Sequence, residues 1–366
     1  MDLPLSRVNV FIGENGAGKS NILEAVGFAC SALSQNNAIT TDDLWNKGIR
    51  VTKPALTFNS FNGKPQKKEI EVLLDDYKVN LTAENENDIF VTWKNSENNF
   101  SDKLTKIAKQ LENLYEKFEN EELKQKKAEL ERLKINFSKL KDDIKVANYL
   151  IFNLNSNALR GFTSESKKEP LGIFGEGLDV LLSTFNEELI NEIKSYNFIN
   201  WLEDFVISDN LQIAGLKLGR SRSKLYFADK YMQKKSNLFS AENVNEGALH
   251  ILFYLSLFIS DKTPTFFAID NIETALNPYL CRKLMQAITG LAIKYNKQVL
   301  ITTHNPAILD GLNLHDSSRK LFIVKRDDNG QTKVDELKAK PQITDGRYKL
   351  SELWMRGLIG GIPKEF

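Results

Sequence analysis

Val8-Asn9-Val10-Phe11-Ile12-Gly13-Glu14-Asn15-Gly16-Ala17-Gly18-Lys19-Ser20 is the stretch on which the reading of this chain turns. Its first five residues are the β-branched and aromatic run of a buried strand. Gly13 through Ser20 fit the spacing G-x-x-x-x-G-K-[ST], and 21–33 read as a helix with Ile22, Ala25, Val26 and Ala29 on one face. Strand, glycine-rich turn and helix in that order are the setting in which this motif cradles phosphate. The glycines let backbone N–H groups turn inward around phosphate oxygens, and the helix N-terminus adds partial positive charge. Asn15, Gly16, Ala17, Gly18, Lys19, Ser20 and Asn21 are therefore the candidate nucleotide-binding residues. Lys19 is expected to reach the β- and γ-phosphates of ATP, and the Ser20 hydroxyl to ligate Mg2+.

Two further stretches belong with the first. Thr265-Phe266-Phe267-Ala268-Ile269-Asp270 is a hydrophobic strand tipped by an acid. It is expected beside the phosphate-loop strand, with Asp270 holding the metal. Gln298-Val299-Leu300-Ile301-Thr302-Thr303-His304-Asn305-Pro306 is another apolar strand, ending in a histidine before a proline stop. A helix over 279–295 joins the two, so a βαβ unit should put Asp270 and His304 on the same edge of a parallel sheet. His304 is then placed to hydrogen-bond the γ-phosphate or the attacking water.

The intervening chain divides by composition. From 51 to 93 apolar and polar residues alternate, as in antiparallel strands with polar turns at Asn62-Gly63 and 84–88. Residues 102–148 contain no Gly or Pro and are dense in Lys and Glu. Leu104, Ile107, Leu111, Leu114 and Phe118 repeat at helical spacing, and Leu130, Leu133, Phe137, Leu140 and Ile144 repeat in another register. Either one long helix with a stutter near 119–122 or a short antiparallel helical hairpin accounts for the change. Helix is expected around 177–205, and strands over 211–218 and 224–228. The apolar run 248–259 is too short to span a bilayer and reads as a core helix.

The order of phosphate loop, long insertion, Asp-tipped strand and His-tipped strand resembles the ABC-type ATPase heads of SMC and RecF proteins. More narrowly it is similar to the compact RecF-like ATPases of bacterial antiphage defence. The resemblance implies an α/β P-loop NTPase head of ABC type, with a mixed or antiparallel β subdomain and a short helical coiled-coil insertion. It divides the chain into a first head lobe (1–100), the insertion (101–149), the connecting remainder of that lobe (150–235) and a second lobe (236–366). It also implies a signature motif at Val244-Asn245-Glu246-Gly247-Ala248-Leu249, which in such heads grips the γ-phosphate held by a partner copy. Asn245 stands where Ser is usual and Gly247 permits close backbone approach, although the same residues suit an Asn-capped core helix. Asn277 of Ala275-Leu276-Asn277 falls at the D-loop.

Two departures matter. These heads usually carry a glutamate directly after the Walker B aspartate, and here that position is Asn271. An amide orients water but cannot take its proton, so hydrolysis is expected to be weak unless the turn brings Glu273 around. The candidate catalytic set is thus Asp270, Asn271, Glu273 and His304, with Ser20 and Asp270 as metal ligands. Second, about a dozen residues precede Gly13, where an extra strand or two is usual. Either the chain is truncated or adenine contacts come from elsewhere. Asn153, Asn155 and Arg160 lie near the expected Q-loop, and the closing Trp354-Met355-Arg356-Gly357 and Gly360-Gly361-Ile362-Pro363 resemble tails of the defence ATPases.

Bulk properties bound the remaining choices. A net charge of +1 excludes a globally basic nucleic-acid binder, leaving a local patch at Lys217, Arg220, Arg222 and Lys224 as the candidate DNA contact. Cys30 and Cys281 lie in unrelated contexts, so a reducing cytoplasm without membrane attachment is expected. The three histidines form no HNH-like cluster, and the roughly sixty residues after His304 are too few for a Toprim-type nuclease domain, so a nuclease in this chain is not expected. Asp327-Asp328-Asn329-Gly330 reads as a hairpin turn rather than a metal pair. The expectation is a homodimer or higher oligomer that closes on Mg-ATP and regulates a separate effector, a nuclease or toxin, in antiphage defence. A DNA-repair or chromosome-handling ATPase and a small-molecule kinase are the alternatives.

Overall fold

Residues 8–13 form strand β1 (Val8–Gly13), every residue of it buried, in the computed structural model. The structure describes residues 1–34, 38–51, 53–58, 68–75, 77–83, 85, 92–96, 146–162, 171–208, 224–338 and 348–361. Residues 101–145 of the coiled-coil insertion, the strand expected over 211–218, the Asn62-Gly63 turn and the basic residues Lys217, Arg220 and Arg222 lie outside them. The chain divides into two compact units, Met1–Ser20 with Ile151–Phe366, and Asn21–Leu150.

The first unit is built on a six-stranded sheet. Its further strands are β6 (Ile151–Phe152), β10 (Phe266–Ile269), β11 (Gln298–Thr302), β12 (Arg319–Arg326) and β13 (Thr332–Glu336), in the spatial order β13-β12-β1-β11-β10-β6. All neighbours run parallel except the β12–β13 hairpin. The central strands are near-continuous Val, Ile, Leu and Phe because both faces of such a sheet are covered. Helix α6 (Glu246–Ile259) is buried from Ala248 to its end, as a core helix must be. Helix α7 (Pro278–Lys294) is the crossover between β10 and β11, opened by Pro278 at its first turn.

The order corrects one expectation. The Asp270 strand is not beside the phosphate-loop strand, because β11 lies between them. Sequence alternation fixes that a strand is buried but carries no information on which strand it pairs with.

A second sheet in this unit is antiparallel, with order β7 (Leu202–Ile207), β8 (Leu225–Asp229), β9 (Leu238–Ser240). The helix expected over 177–205 is two helices, α4 (Leu178–Leu182) and α5 (Glu187–Ser195), followed by β7. Asn186 starts α5 by accepting from the Leu189 N–H, and Asn197 at φ 44° turns the chain out. Phe205 is therefore a strand residue paired with Phe227.

The second unit carries the body of α1 (Lys19–Ser34) and a four-stranded antiparallel sheet. Its strands are β2 (Ala38–Ile39), β5 (Trp93–Asn95), β4 (Tyr77–Ala83) and β3 (Glu69–Leu74), in that order. Val79, Leu81 and Trp93 are fully buried, and Phe28 of α1 meets the Trp93 ring edge-on at 5.7 Å. Pro54–Leu56 is a single 3-10 turn rather than strand. No helix among the described residues is long and apolar enough to cross a membrane.

Candidate nucleotide site

All parallel strands of the large sheet end on one edge, where Gly13, Thr302 and Ile269 close β1, β11 and β10. That edge is where ligands sit in open α/β sheets. From Gly13 the loop turns over, with Gly16 at φ 78° and Gly18 at φ 105°. A side chain at Gly13 would meet the Val324 carbonyl at 2.1 Å, so this close approach requires glycine. Lys19 is buried, and its Nζ donates to the carbonyls of Gly13 (2.8 Å) and Glu14 (3.0 Å). Burial lowers its pKa, and the nearby carboxylates of Asp270, Glu273 and Glu14 pull it back. A lysine held against the loop in this way is a point charge ready for phosphate.

Ser20 reaches across the end of β11. Its hydroxyl donates to Asp270 at 3.0 Å from both Oδ1 and Oδ2. Hydroxyl and carboxylate are hard oxygen donors, and this convergence fits Mg2+. The intervening strand contributes as well. The Thr302 hydroxyl donates to Asp270 Oδ1 at 2.5 Å and accepts from the Asn271 N–H at 2.9 Å. Thr302 was not singled out from sequence. The signal was its place two residues before His304 at the strand tip, which becomes meaningful only once β11 is known to sit beside Asp270.

After Asp270 the chain bends sharply. Asn271 sits at φ 55° and Ala275 at φ 61°. The bend carries Glu273 toward His304, whose backbone N–H donates to Glu273 Oε1 at 2.8 Å. Glu273 Oε2 is buried with no hydrogen-bond partner among the described residues. An unpaired buried carboxylate oxygen is costly, and this one lies at the sheet edge beside His304. The exposed His304 has its pKa lowered, first by partial burial and then by Lys19, against the opposing pull of Glu273 and Asp270. In its neutral form the imidazole offers one donor and one acceptor. Lys19, Ser20, Asp270, Glu273 and His304 thus form one cluster.

The segment expected as the signature motif lies against the bend after Asp270. Asn245 caps α6, its Oδ1 accepting from the Ala248 N–H at 2.9 Å. The capping role foreseen for this residue is occupied, and the amide NH2 is chemically distinct from that bond. Gly247 approaches the Ala275 carbonyl so closely that a side chain would sit 3.1 Å from it. Arg160, at the end of helix α3 (Ser156–Leu159), donates to the Val244 carbonyl at 3.2 Å and pairs with Glu246 at 3.5 Å. Arg160 therefore ties the segment after β6 to the signature turn. Asn155 caps α3, and Asn277 likewise caps α7 by accepting from the Leu280 N–H at 2.9 Å. Asn15 and Asn21 flank the phosphate loop, Asn21 exposed in the first turn of α1.

The Asp327 turn is a hairpin, as expected. Asp327 Oδ1 accepts from the N–H groups of Asn329 and Gln331 at 3.0 and 2.9 Å. Both cysteines are free and buried.

The sequence profile of the family AAA_21, described as "AAA domain, putative AbiEii toxin, Type IV TA system", matches residues 8–310. No curated protein matches the sequence. Among solved structures, an Smc head bound to the C-winged helix domain of ScpA superposes with a TM-score of 0.51 at 16% identity, covering 93% of each chain. The SMC head domain from Thermotoga maritima gives 0.43 at 12% identity, over 92% of this chain and 93% of that one. A dimeric ATP-binding cassette, MJ0796 bound to ADP and Pi, gives 0.36 at 12% identity, over 93% and 88%.

Proposed function

We propose that this chain, which belongs to the AAA_21 family and is a P-loop ATPase of ABC/SMC type, closes as a homodimer on Mg-ATP and hydrolyses it slowly. In this reading the closed state licenses a separate effector, a nuclease or toxin, in antiphage defence. The observation that carries the ATPase part is the cluster at the sheet edge, where Ser20 lies 3.0 Å from both oxygens of Asp270 and Glu273 lies against His304. The family description, "AAA domain, putative AbiEii toxin, Type IV TA system", links such domains to toxin–antitoxin systems and so favours a defence role over DNA repair.

Each residue has a definable task. Backbone N–H groups of 15–20 and Lys19 Nζ bind the β- and γ-phosphates. Ser20 and Asp270 would hold Mg2+, which supplies charge neutralisation at the phosphates when bound. Thr302 fixes the Asp270 carboxylate and the backbone after it. His304 orients the γ-phosphate or the water, and Glu273 Oε2 is the group free to take the water's proton. Asn271 aligns water without accepting a proton, and the base that remains, Glu273, is held through Oε1 to the His304 backbone N–H instead of standing directly after Asp270, so turnover is low. Asn245, Gly247 and Asn277 face the second copy's nucleotide in the closed dimer.

Steady-state hydrolysis by purified wild-type protein tests this reading. The expected turnover is well below one per second, abolished by Lys19→Ala. Asn271→Glu is expected to raise it, moderated by a cost of about 1 kcal/mol for a non-Asn side chain at positive φ. A wild-type turnover of several per second would refute the slow-clamp reading. Strong stimulation by DNA alone would move the protein to the repair class.

A further inference from the structure

The β12–β13 hairpin touches the phosphate loop at three successive points. Gly13 lies in register with Val324 in the β1–β12 pairing. Arg326 Nε donates to the Gly16 carbonyl at 2.8 Å. The Thr332 hydroxyl donates to the Ala17 carbonyl at 2.9 Å, and the same hydroxyl would lie 2.6 Å from a side chain placed at Gly18. Arg326 and Thr332 are a directly opposed cross-strand pair, so both project from one face of the hairpin. The Asp327 turn immediately beyond them sets that register through its own backbone bonds.

A loop that aims its N–H groups inward at an anion must turn carbonyls outward. Such carbonyls need donors on the far side, or the peptide planes are free to rotate and present oxygen to the phosphate. Gly16 and Ala17 are the two central peptides of this loop, and the hairpin supplies one donor to each. Arg326 also brings a permanent positive charge to the loop's outer side.

We propose that the cross-strand pair Arg326 and Thr332 is a brace that holds the phosphate loop in its anion-receiving conformation. They are positioning residues for nucleotide rather than catalytic ones, and the proposal rests on the ATP-binding reading above. The requirement explains why the chain keeps a threonine at 332 against the close approach of Gly18. It also gives the β12–β13 hairpin a task at the site, which its sequence as a polar turn does not announce.

Binding of a fluorescent ATP and ADP analogue to the full chain, with Mg2+, tests this. Thr332→Val keeps the branched shape and removes the donor. It is expected to weaken both nucleotides about fivefold, the worth of one hydrogen bond, with the melting temperature of the nucleotide-free protein lowered by no more than about 4 °C. Thr332→Ser restores the donor and should bind within about twofold of wild type. Arg326→Gln, at an exposed position, is expected to weaken binding severalfold at low salt and less at high salt. Thr332→Val and Thr332→Ser that bind alike, or Arg326→Gln equal to wild type at low salt, would overturn the brace. If Thr332→Val does not fold, the Arg326 comparison decides. Wild-type protein that folds and binds neither nucleotide would instead bring down the ATP-binding reading, and the brace with it.

Discussion

In the proposed reading, Glu273 and Asn271 would divide the chemistry of one glutamate. Asparagine is among the few residues that tolerate left-handed backbone, and Asn271 occupies it at φ 55°. The bend so made swings Glu273 to within 2.8 Å of the His304 backbone N–H and leaves its second oxygen buried and unpaired. The sequence shows asparagine at 271 and offers Glu273 as the alternative base. The bend that relates them is not legible there, because positive φ at a single Asn leaves no periodic trace. Glu273→Gln is expected to cut hydrolysis about 100-fold, at the low end of what a general base contributes. The affinity for Mg-ATP should stay within a few-fold of wild type in equilibrium binding. A variant that hydrolyses ATP at the wild-type rate would assign the proton to another group.

Among the elements, the phosphate loop, the Asp270 strand, the His304 strand and the buried α6 were all legible, since each is a short apolar run with a marked terminus. Strand order was not, because pairing partners are chosen by packing across the sheet rather than by local pattern. This is why Thr302 escaped notice until β11 was seen between β1 and β10. The stretch 177–205 failed for a related reason. Its leucines and isoleucines fit a helical period, but Asn186 and Asn197 cut the run, and Leu202–Ile207 is captured by β8.

Helix α6 carries a testable feature of its own. His250 is fully buried, neither ring nitrogen has a well-formed partner among the described residues, and burial pushes its pKa down to about 4. Glu246 and the Thr274 backbone raise it and Arg160 lowers it, all less strongly than burial. The folded state therefore binds fewer protons than the unfolded chain between about pH 4 and 6.5, and stability must fall as pH drops through that window. Urea denaturation at pH 7 and pH 5 should find about 2 kcal/mol of this loss attributable to His250. His250→Leu is expected to remove it while costing no more than about 1 kcal/mol at pH 7. Equal pH dependence in both proteins would contradict the assignment.

For the whole molecule, the account requires two copies. Within one chain Lys19, Ser20, Asp270, Glu273 and His304 share a site, whereas Asn245 and Gly247 are organised around the Ala275 carbonyl and Arg160. In the proposed dimer this turn would serve the nucleotide of a second copy, and closure is what an effector would sense. Light scattering on Glu273→Gln protein, in which ATP persists, tests this most directly. Expected are a monomer without nucleotide and with ADP, a dimer with Mg-ATP, and a monomer in every condition once Lys19→Ala is added. Protein that binds Mg-ATP and keeps the same mass with and without it would rule out ATP-driven dimerisation.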